Sequence, residues 1–244
     1  MLAMSNIALR SWGLVRDIKS SRRLAKFVRL TLRIRNVLQT KAHCFQPVRR
    51  LTTGTPHFGK LPADLPYVTG SEHWKRKVRS VFKRFDLNTD GYVTGEDYVA
   101  FGKRMADFRN LDGEKAKQII DKCLHTWAGV AGNKNKITED DYLQSIHSLT
   151  IQCCFRPQLY HGFVSAEFGM MDIDGDGLAS KDEHVAFFHG MKVPMQFSKE
   201  MFVEMDTNKD GLITFDEFAE GFLDFWFTED PNNKYNHFYG PLVD

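Results

Sequence analysis

Apolar residues recur at three- and four-residue steps along residues 72–227, the spacing that predicts amphipathic helices. The first stripe contains Trp74, Val78 and Phe82; a polar stretch, residues 86–97, and then a second apolar stripe follow it. The same order of stripe, polar stretch and stripe occurs four times. Because each stripe covers one side of a helix, a single helix–loop–helix unit cannot bury its apolar face alone. The pattern therefore predicts an all-α body of four such units joined in two pairs.

Interruptions of the pattern divide the chain into five segments. Within the pairs, residues 110–113 and 192–194 break the helices, and residues 153–157 are the expected junction between the pairs. The predicted segments are an N-terminal segment (1–58), a linker (59–71), a first pair of units (72–152), a second pair (153–228) and a C-terminal tail (229–244).

The third and fourth polar stretches match the calcium-loop pattern D-x-[DN]-x-[DN]-G-x5-E at every fixed position. Ca²⁺ is a hard cation that takes about six to eight oxygens at about 2.3–2.6 Å, and a twelve-residue loop supplies them from positions 1, 3, 5, 7, 9 and 12. The predicted ligands of loop 3 (residues 172–183) are Asp172, Asp174, Asp176, Leu178 through its carbonyl, Ser180 and Glu183. The predicted ligands of loop 4 (residues 206–217) are Asp206, Asn208, Asp210, Leu212 through its carbonyl, Thr214 and Glu217.

The first stretch, loop 1 (residues 86–97), fits the pattern except at position 12, where aspartate replaces glutamate. The shorter side chain more readily gives one oxygen than two, which favours six-coordination and therefore Mg²⁺ or a weaker Ca²⁺ site. The predicted ligands of loop 1 are Asp86, Asn88, Asp90, Tyr92 through its carbonyl, Thr94 and Asp97.

The second stretch, loop 2 (residues 130–141), is degenerate. If Ile137 and Asp141 take positions 8 and 12, then Val130 falls at position 1 and Lys134 at position 5. One carboxylate and a lysine cannot hold a divalent cation, so this loop is predicted to be silent.

The silent loop still has a structural use, because paired loops exchange a short β-bridge through position 8. We therefore expect Val93 to lie opposite Ile137 in the first pair. In the second pair, Ala179 is expected to lie opposite Ile213.

Charge separates the N-terminal segment from the rest of the chain. Residues 1–60 carry thirteen Lys and Arg against Asp17 alone, whereas residues 61–244 hold 20 basic and 30 acidic side chains. An acidic body suits cation binding and argues against a nucleic-acid surface. The Arg-rich, acid-poor composition of this segment is typical of a mitochondrial transit peptide. Two other interpretations stay open: a retained basic helix that lies on anionic lipid, and an extension without a role. The expected location is cytoplasmic or mitochondrial.

The arrangement of three complete loops with a degenerate second one, together with the ending at residues 230–242, resembles the invertebrate sarcoplasmic calcium-binding proteins. Calexcitin and the coelenterazine-binding protein are similar in layout. The resemblance covers residues 72–244 and none of residues 1–60. It implies a compact body of four EF-hands that buffers Ca²⁺ and Mg²⁺, with the C-terminal tail packed on the core.

Three functions are compatible with these features. The first is an intracellular Ca²⁺ and Mg²⁺ buffer, expected to be a monomer. The second is a Ca²⁺ sensor for an unknown protein partner, since seven methionines lie beyond residue 60. The third is a carrier of a hydrophobic ligand, in a cavity that could be lined by Trp74, Trp127, Trp226, Phe82, Phe101 and Phe163. Catalysis is not expected because the nine histidines are scattered without a nucleophile at a suitable spacing. No stretch reaches 18 apolar residues, so no spanning helix is expected.

Overall fold

The structure, a computed structural model, describes residues 65–151 and 160–243. The predicted transit segment (1–58), residues 59–64 of the linker and the junction at residues 153–157 lie outside the described residues. No helix in the described part of the chain is long and apolar enough to cross a bilayer.

The first pair of units contains four helices and two short strands. Helix α2 ends before the predicted break at residues 110–113, and α3 begins at the last residue of that break. The elements are α1 (Glu72–Phe85), β1 (Tyr92–Thr94), α2 (Gly95–Phe108), α3 (Gly113–Ala131), β2 (Lys136–Thr138) and α4 (Glu139–Thr150).

The second pair repeats this plan after a π-helical turn (Tyr160–Val164), and a 3-10 turn (Lys234–His237) follows it. Its elements are α5 (Ser165–Met171), β3 (Leu178–Ser180), α6 (Lys181–Gly190), α7 (Met195–Met205), β4 (Leu212–Thr214) and α8 (Phe215–Phe227). The prediction of an all-α fold built from four helix–loop–helix units is confirmed.

The loops are joined in pairs by antiparallel bridges. Val93 of β1 lies opposite Ile137 of β2, and Ala179 of β3 lies opposite Ile213 of β4. Both predicted pairings are confirmed. The first pairing also fixes the register of loop 2, so Asp141 occupies position 12.

The two pairs share one apolar core. Phe101 of α2 meets Phe187 of α6 edge to face, with 5.4 Å between the ring centroids. Gly190, at the end of α6, allows this approach, because a Cβ there would lie 2.5 Å from Cε2 of Phe101. The contact holds the second helix of the first unit against the second helix of the third.

Basic side chains also connect the two pairs, and each donates to carbonyl oxygens at or just beyond the C-terminal end of a helix in the other pair. Such a cation satisfies carbonyls that lack a partner within the helix and complements the negative end of the helix dipole. The four contacts are Lys77 to Phe225 and Thr228, Arg104 to His189 and Gly190, Lys122 to Asp172 and Ile173, and Lys192 to Leu87.

The C-terminal tail packs on the body. Phe238 and Tyr239 are buried, and the Tyr239 hydroxyl donates to the Glu167 carboxyl group of α5 at 2.5 Å. Further along, the Val243 N–H donates to the Ser80 hydroxyl of α1 at 2.9 Å. The tail therefore contacts both the first and the third units.

Candidate metal-binding loops

Three loops begin in the same way. In each, the helix stops one residue before position 1, and the N–H of that aspartate closes the last helical turn at 2.8–2.9 Å. The donor–acceptor pairs are Asp86 to Phe82, Asp172 to Phe168 and Asp206 to Phe202. The position 1 aspartates are only 7–8% exposed, and the ends of α1, α5 and α7 fix them in place.

Glycine at position 6 makes the turn that each loop requires. Gly91, Gly177 and Gly211 have φ of +85°, +90° and +85°, a region that costs other residues steric energy. Each of these N–H groups donates to the position 1 carboxylate, at 3.0, 3.2 and 3.0 Å respectively. The turn therefore folds the loop around the aspartate that begins it.

Loop 3 brings three carboxylates together. One oxygen from each of Asp172, Asp174 and Asp176 can be chosen so that all three lie within 4.8 Å of one another. Two ligand atoms on one Ca²⁺ are at most about 5 Å apart, so the spacing fits that ion. In loops 1 and 4 an amide, Asn88 or Asn208, occupies position 3, and its oxygen accepts the N–H of the position 5 aspartate at 3.0 and 2.8 Å.

The position 12 carboxylate joins the two ends of each loop. One oxygen of Glu183 accepts the Ile173 N–H at 2.9 Å, and the other accepts the Ser180 N–H at 2.8 Å in a capping box at the start of α6. Glu217 makes the equivalent bonds with Thr207 and Thr214 at 3.0 and 2.9 Å. Each glutamate therefore presents both oxygens inside its loop.

Asp97 has one methylene less but makes the same connection in loop 1. It accepts the N–H of Leu87, at position 2, at 3.2 Å, whereas the equivalent position 2 contacts of the two glutamates are 2.9 and 3.0 Å, and it caps α2 through Thr94. The greater distance agrees with the shorter reach inferred from the sequence.

Burial and hydrogen bonding act on the acidity of the loops in opposite directions. Burial raises the pKa of Asp172, although N–H groups of Gly175 and Gly177 and the Lys122 charge oppose it. Burial would also raise the pKa of Glu217, but hydrogen bonds led by Thr214 outweigh it and the pKa lies below its ordinary value. The many donors around Glu217 favour the carboxylate form that an ion requires.

Loop 2 differs from the other three loops in a way that the sequence did not reveal. Helix α3 continues through Ala131, past position 1, so only residues 132–135 separate it from β2. The Lys134 ammonium then lies 2.7 Å from the Asp141 carboxylate at position 12. This contact is the main cause of a lowered pKa at Asp141. A cation of the protein itself thus pairs with the last carboxylate of the loop.

A small cavity of about 50 Å³ lies between the two pairs of units. Phe163 and Trp226, two of the six aromatic residues expected to line a cavity, are in its wall, together with Tyr98, Tyr142 and the buried Glu167. The other four expected residues form the core around it or contact its lining: Trp74, Phe82, Phe101 and Trp127. An acidic residue in this wall was not foreseen, because a single glutamate in a helical stripe usually faces solvent.

Comparison with known protein families and relatives agrees with this geometry. Residues 164–223 match the EF-hand domain pair, and residues 78–101 match the EF hand. The luciferin-binding protein of Renilla reniformis is 29% identical over 184 residues, which cover 73% of this chain and all of that protein. A sarcoplasmic calcium-binding protein of Perinereis vancaurica tetradentata is 29% identical over 177 residues, covering 71% of this chain and all of the relative.

The fold is also similar to solved structures. The Ca-loaded apo form of coelenterazine-binding protein from Renilla muelleri superposes with a TM-score of 0.63 at 24% identity, covering 70% of this chain and 99% of that one. Calcium-loaded apo-aequorin from Aequorea victoria has a TM-score of 0.50 at 22% identity, covering 67% and 95%. The chain therefore contains EF-hand domains, and its homologues include sarcoplasmic calcium-binding proteins and luciferin-binding protein.

Proposed function

We propose that this protein is an intracellular Ca²⁺ and Mg²⁺ buffer of the sarcoplasmic calcium-binding type, and not an enzyme. The observation that carries the proposal is the convergence of the Asp172, Asp174 and Asp176 carboxylates within 4.8 Å, in a loop closed by Glu183. Loops 1 and 4 share its turn and its closing contact. The residues proposed to hold the ions are the eighteen ligands predicted from the sequence in loops 1, 3 and 4, with loop 1 the most suited to Mg²⁺.

The distribution of apolar side chains favours a buffer over a sensor. A sensor must offer an apolar groove to its partner when Ca²⁺ binds, and methionines often line such grooves. Six of the seven methionines beyond residue 60 are buried here, and Met195 alone is exposed. The buried aromatic tail further covers the body. Ion binding is therefore expected to tighten this fold without opening it.

The test is a comparison of the full-length protein with and without Ca²⁺. An ion that binds only the folded state stabilises it by about 2.7 kcal/mol for each site at a concentration of 100 Kd. We expect a large rise in the thermal unfolding midpoint and little change in the fluorescence of a hydrophobic dye. An absent rise would contradict ion binding, and a large Ca²⁺-dependent increase in dye fluorescence would favour the sensor.

The inter-pair cavity supports a second candidate, the carrier of a hydrophobic ligand, because two relatives are named for such ligands. At about 50 Å³ the cavity holds a few water molecules, since each needs about 10–15 Å³ of this volume. A multi-ring ligand would have to displace side chains of the cavity wall such as Trp226 or Phe163. Titration with coelenterazine tests the idea: an absorbance shift with saturation would support a carrier, and no shift would exclude this ligand.

The division into segments and the cellular location belong to the same proposal. We assign the metal-binding body to two pairs, residues 72–152 and 153–228, and targeting to residues 1–58, whose composition supports mitochondrial import. A C-terminal fluorescent fusion of the full chain should co-localise with mitochondria, and removal of residues 1–58 should abolish this. Unchanged localisation after removal would refute a targeting role.

A further inference from the structure

A lysine from the silent hand contacts the beginning of loop 3. Lys122 lies on α3, and its ammonium donates to the carbonyl oxygens of Asp172 at 2.5 Å and Ile173 at 3.3 Å. These carbonyls belong to positions 1 and 2 of the loop. The contact joins the entering helix of the hand that is not expected to bind an ion to a loop that is.

The contact continues through one peptide unit to the far end of the loop. The carbonyl of Asp172 and the N–H of Ile173 belong to the same peptide group, and that N–H donates to Glu183 at 2.9 Å. A charge on the carbonyl side polarises the peptide and strengthens its N–H as a donor. The Lys122 charge therefore acts close to both the first and the last carboxylate of loop 3.

Loop 1, in the first pair, has a corresponding lysine that the second pair supplies. Lys192 follows α6 in the second pair, and its ammonium donates to the Leu87 carbonyl at position 2 of loop 1 at 2.7 Å. The Leu87 N–H in turn donates to Asp97 at position 12. Loop 4 uses a different device at position 2, where the Thr207 hydroxyl itself donates to Glu217 at 2.9 Å.

We propose that Lys122 and Lys192 set the ion affinity of loops 3 and 1, each weakening it from the other pair of EF-hands. The proposal rests on the proposed function of these loops. The carbonyl contacts cap helix ends whether or not an ion is bound, so their contribution cancels from the binding free energy. The repulsion between the ammonium and a divalent cation exists only in the bound state, and it remains as a net loss of affinity.

The size of this effect follows from Coulomb's law. A single and a double positive charge about 10 Å apart repel by about 0.8 kcal/mol in water, which corresponds to about fourfold in affinity. Added salt screens the repulsion, because the Debye length at 0.1 M is also about 10 Å. Lys122 thereby gives the silent hand a role: its entering helix lowers the affinity of a loop in the other pair.

The test replaces each lysine by methionine, which keeps the length and apolar part of the side chain and removes the charge. Ca²⁺ titrations of the full chain at low ionic strength are followed by amide NMR signals of Gly91 and Gly177, whose N–H groups bond the position 1 carboxylates. Lys122→Met should tighten loop 3 about fourfold and leave loop 1 unchanged. Lys192→Met should tighten loop 1 about fourfold and leave loop 3 unchanged. The exposed Lys117 and Lys199, replaced by methionine in the same way, provide matched control variants.

Two further measurements separate charge from packing. Lys122→Arg keeps the charge and should keep the wild-type affinity, and the gain in Lys122→Met should fade in about 0.5 M salt. In the absence of metal, Lys122→Met should lower the unfolding midpoint, because the end of α5 loses its cap. Unchanged or weaker binding at loop 3 in Lys122→Met would overturn the proposal. If the amide signal of Gly177 in the wild type did not shift on addition of Ca²⁺, the proposed function itself would be overturned.

Discussion

Replacing Glu167 by glutamine should change how the stability of the protein depends on pH. Glu167 is 8% exposed and accepts the Tyr239 hydroxyl at 2.5 Å. Burial raises the pKa of its carboxyl to about 7, although the hydrogen bond from Tyr239 opposes the rise. The titratable groups that face it from other elements are Tyr98 and Tyr142, both with raised pKa values. Glu167 is therefore a buried acid whose neutral form is favoured.

The magnitude follows from the two states of the chain. An increase of the pKa from 4.5 to about 7 corresponds to about 3.5 kcal/mol, at about 1.4 kcal/mol for each pKa unit. Between these values the unfolded chain has released the proton and the folded protein still holds it. The stabilisation relative to the ionised state is thus fully present below pH 4.5 and is lost as the pH rises through about 7. At higher pH this residue causes no further change in stability.

Urea unfolding of the metal-free protein between pH 5 and pH 8 measures this effect. Glutamine cannot ionise, and its amide oxygen can still accept the Tyr239 hydroxyl. Relative to Glu167→Gln, the wild type should lose most of about 3.5 kcal/mol of its free energy of unfolding across this range. Tyr239→Phe retains the acid and should retain the pH dependence. Parallel stability curves for wild type and Glu167→Gln would refute the reasoning.

Two other predictions concern ion selectivity and packing. Asp97→Glu should favour Ca²⁺ over Mg²⁺ at loop 1 on the order of tenfold, because glutamate can give both oxygens to the ion. Competition of each ion with Tb³⁺, whose luminescence Tyr92 can excite, measures this preference. Unchanged competition by Mg²⁺ would contradict the prediction. Gly190→Ala should destabilise the protein by about 1–3 kcal/mol, since its Cβ would meet Phe101 at 2.5 Å. Gly129 lies in a helix with open space around it, so Gly129→Ala should instead stabilise the protein by about 0.5–1 kcal/mol. Equal denaturation midpoints for the two variants would be inconsistent with this packing.

The loops and their pairing could be predicted from the sequence because they depend on short-range chemistry. The turn at Gly177 and the spacing of the acidic residues are local requirements of a cation. The Val93–Ile137 bridge follows from aligning two neighbouring loops. These features need only the order of residues within a few turns of the chain.

The contacts that cross between the pairs could not be predicted in this way. Lys122 meets a carbonyl 50 residues away, and Lys192 meets one 105 residues away. Both look like ordinary surface lysines in a helical or linker pattern. Glu167 likewise reads as a solvent-facing residue until the tail places Tyr239 against it. The extension of α3 past Val130 was missed because the loop was aligned by residue type, which gives no helix end.

The most direct test of the account is the number of Ca²⁺ ions bound by the full chain when position 12 is changed in loops 3 and 4. Equilibrium dialysis with radioactive Ca²⁺ at saturating concentration should give three ions for the wild type. In the Glu183→Gln, Glu217→Gln double variant it should give one, held by loop 1 and displaced by millimolar Mg²⁺. Three ions retained by the double variant would contradict the assignment of these loops as the metal sites.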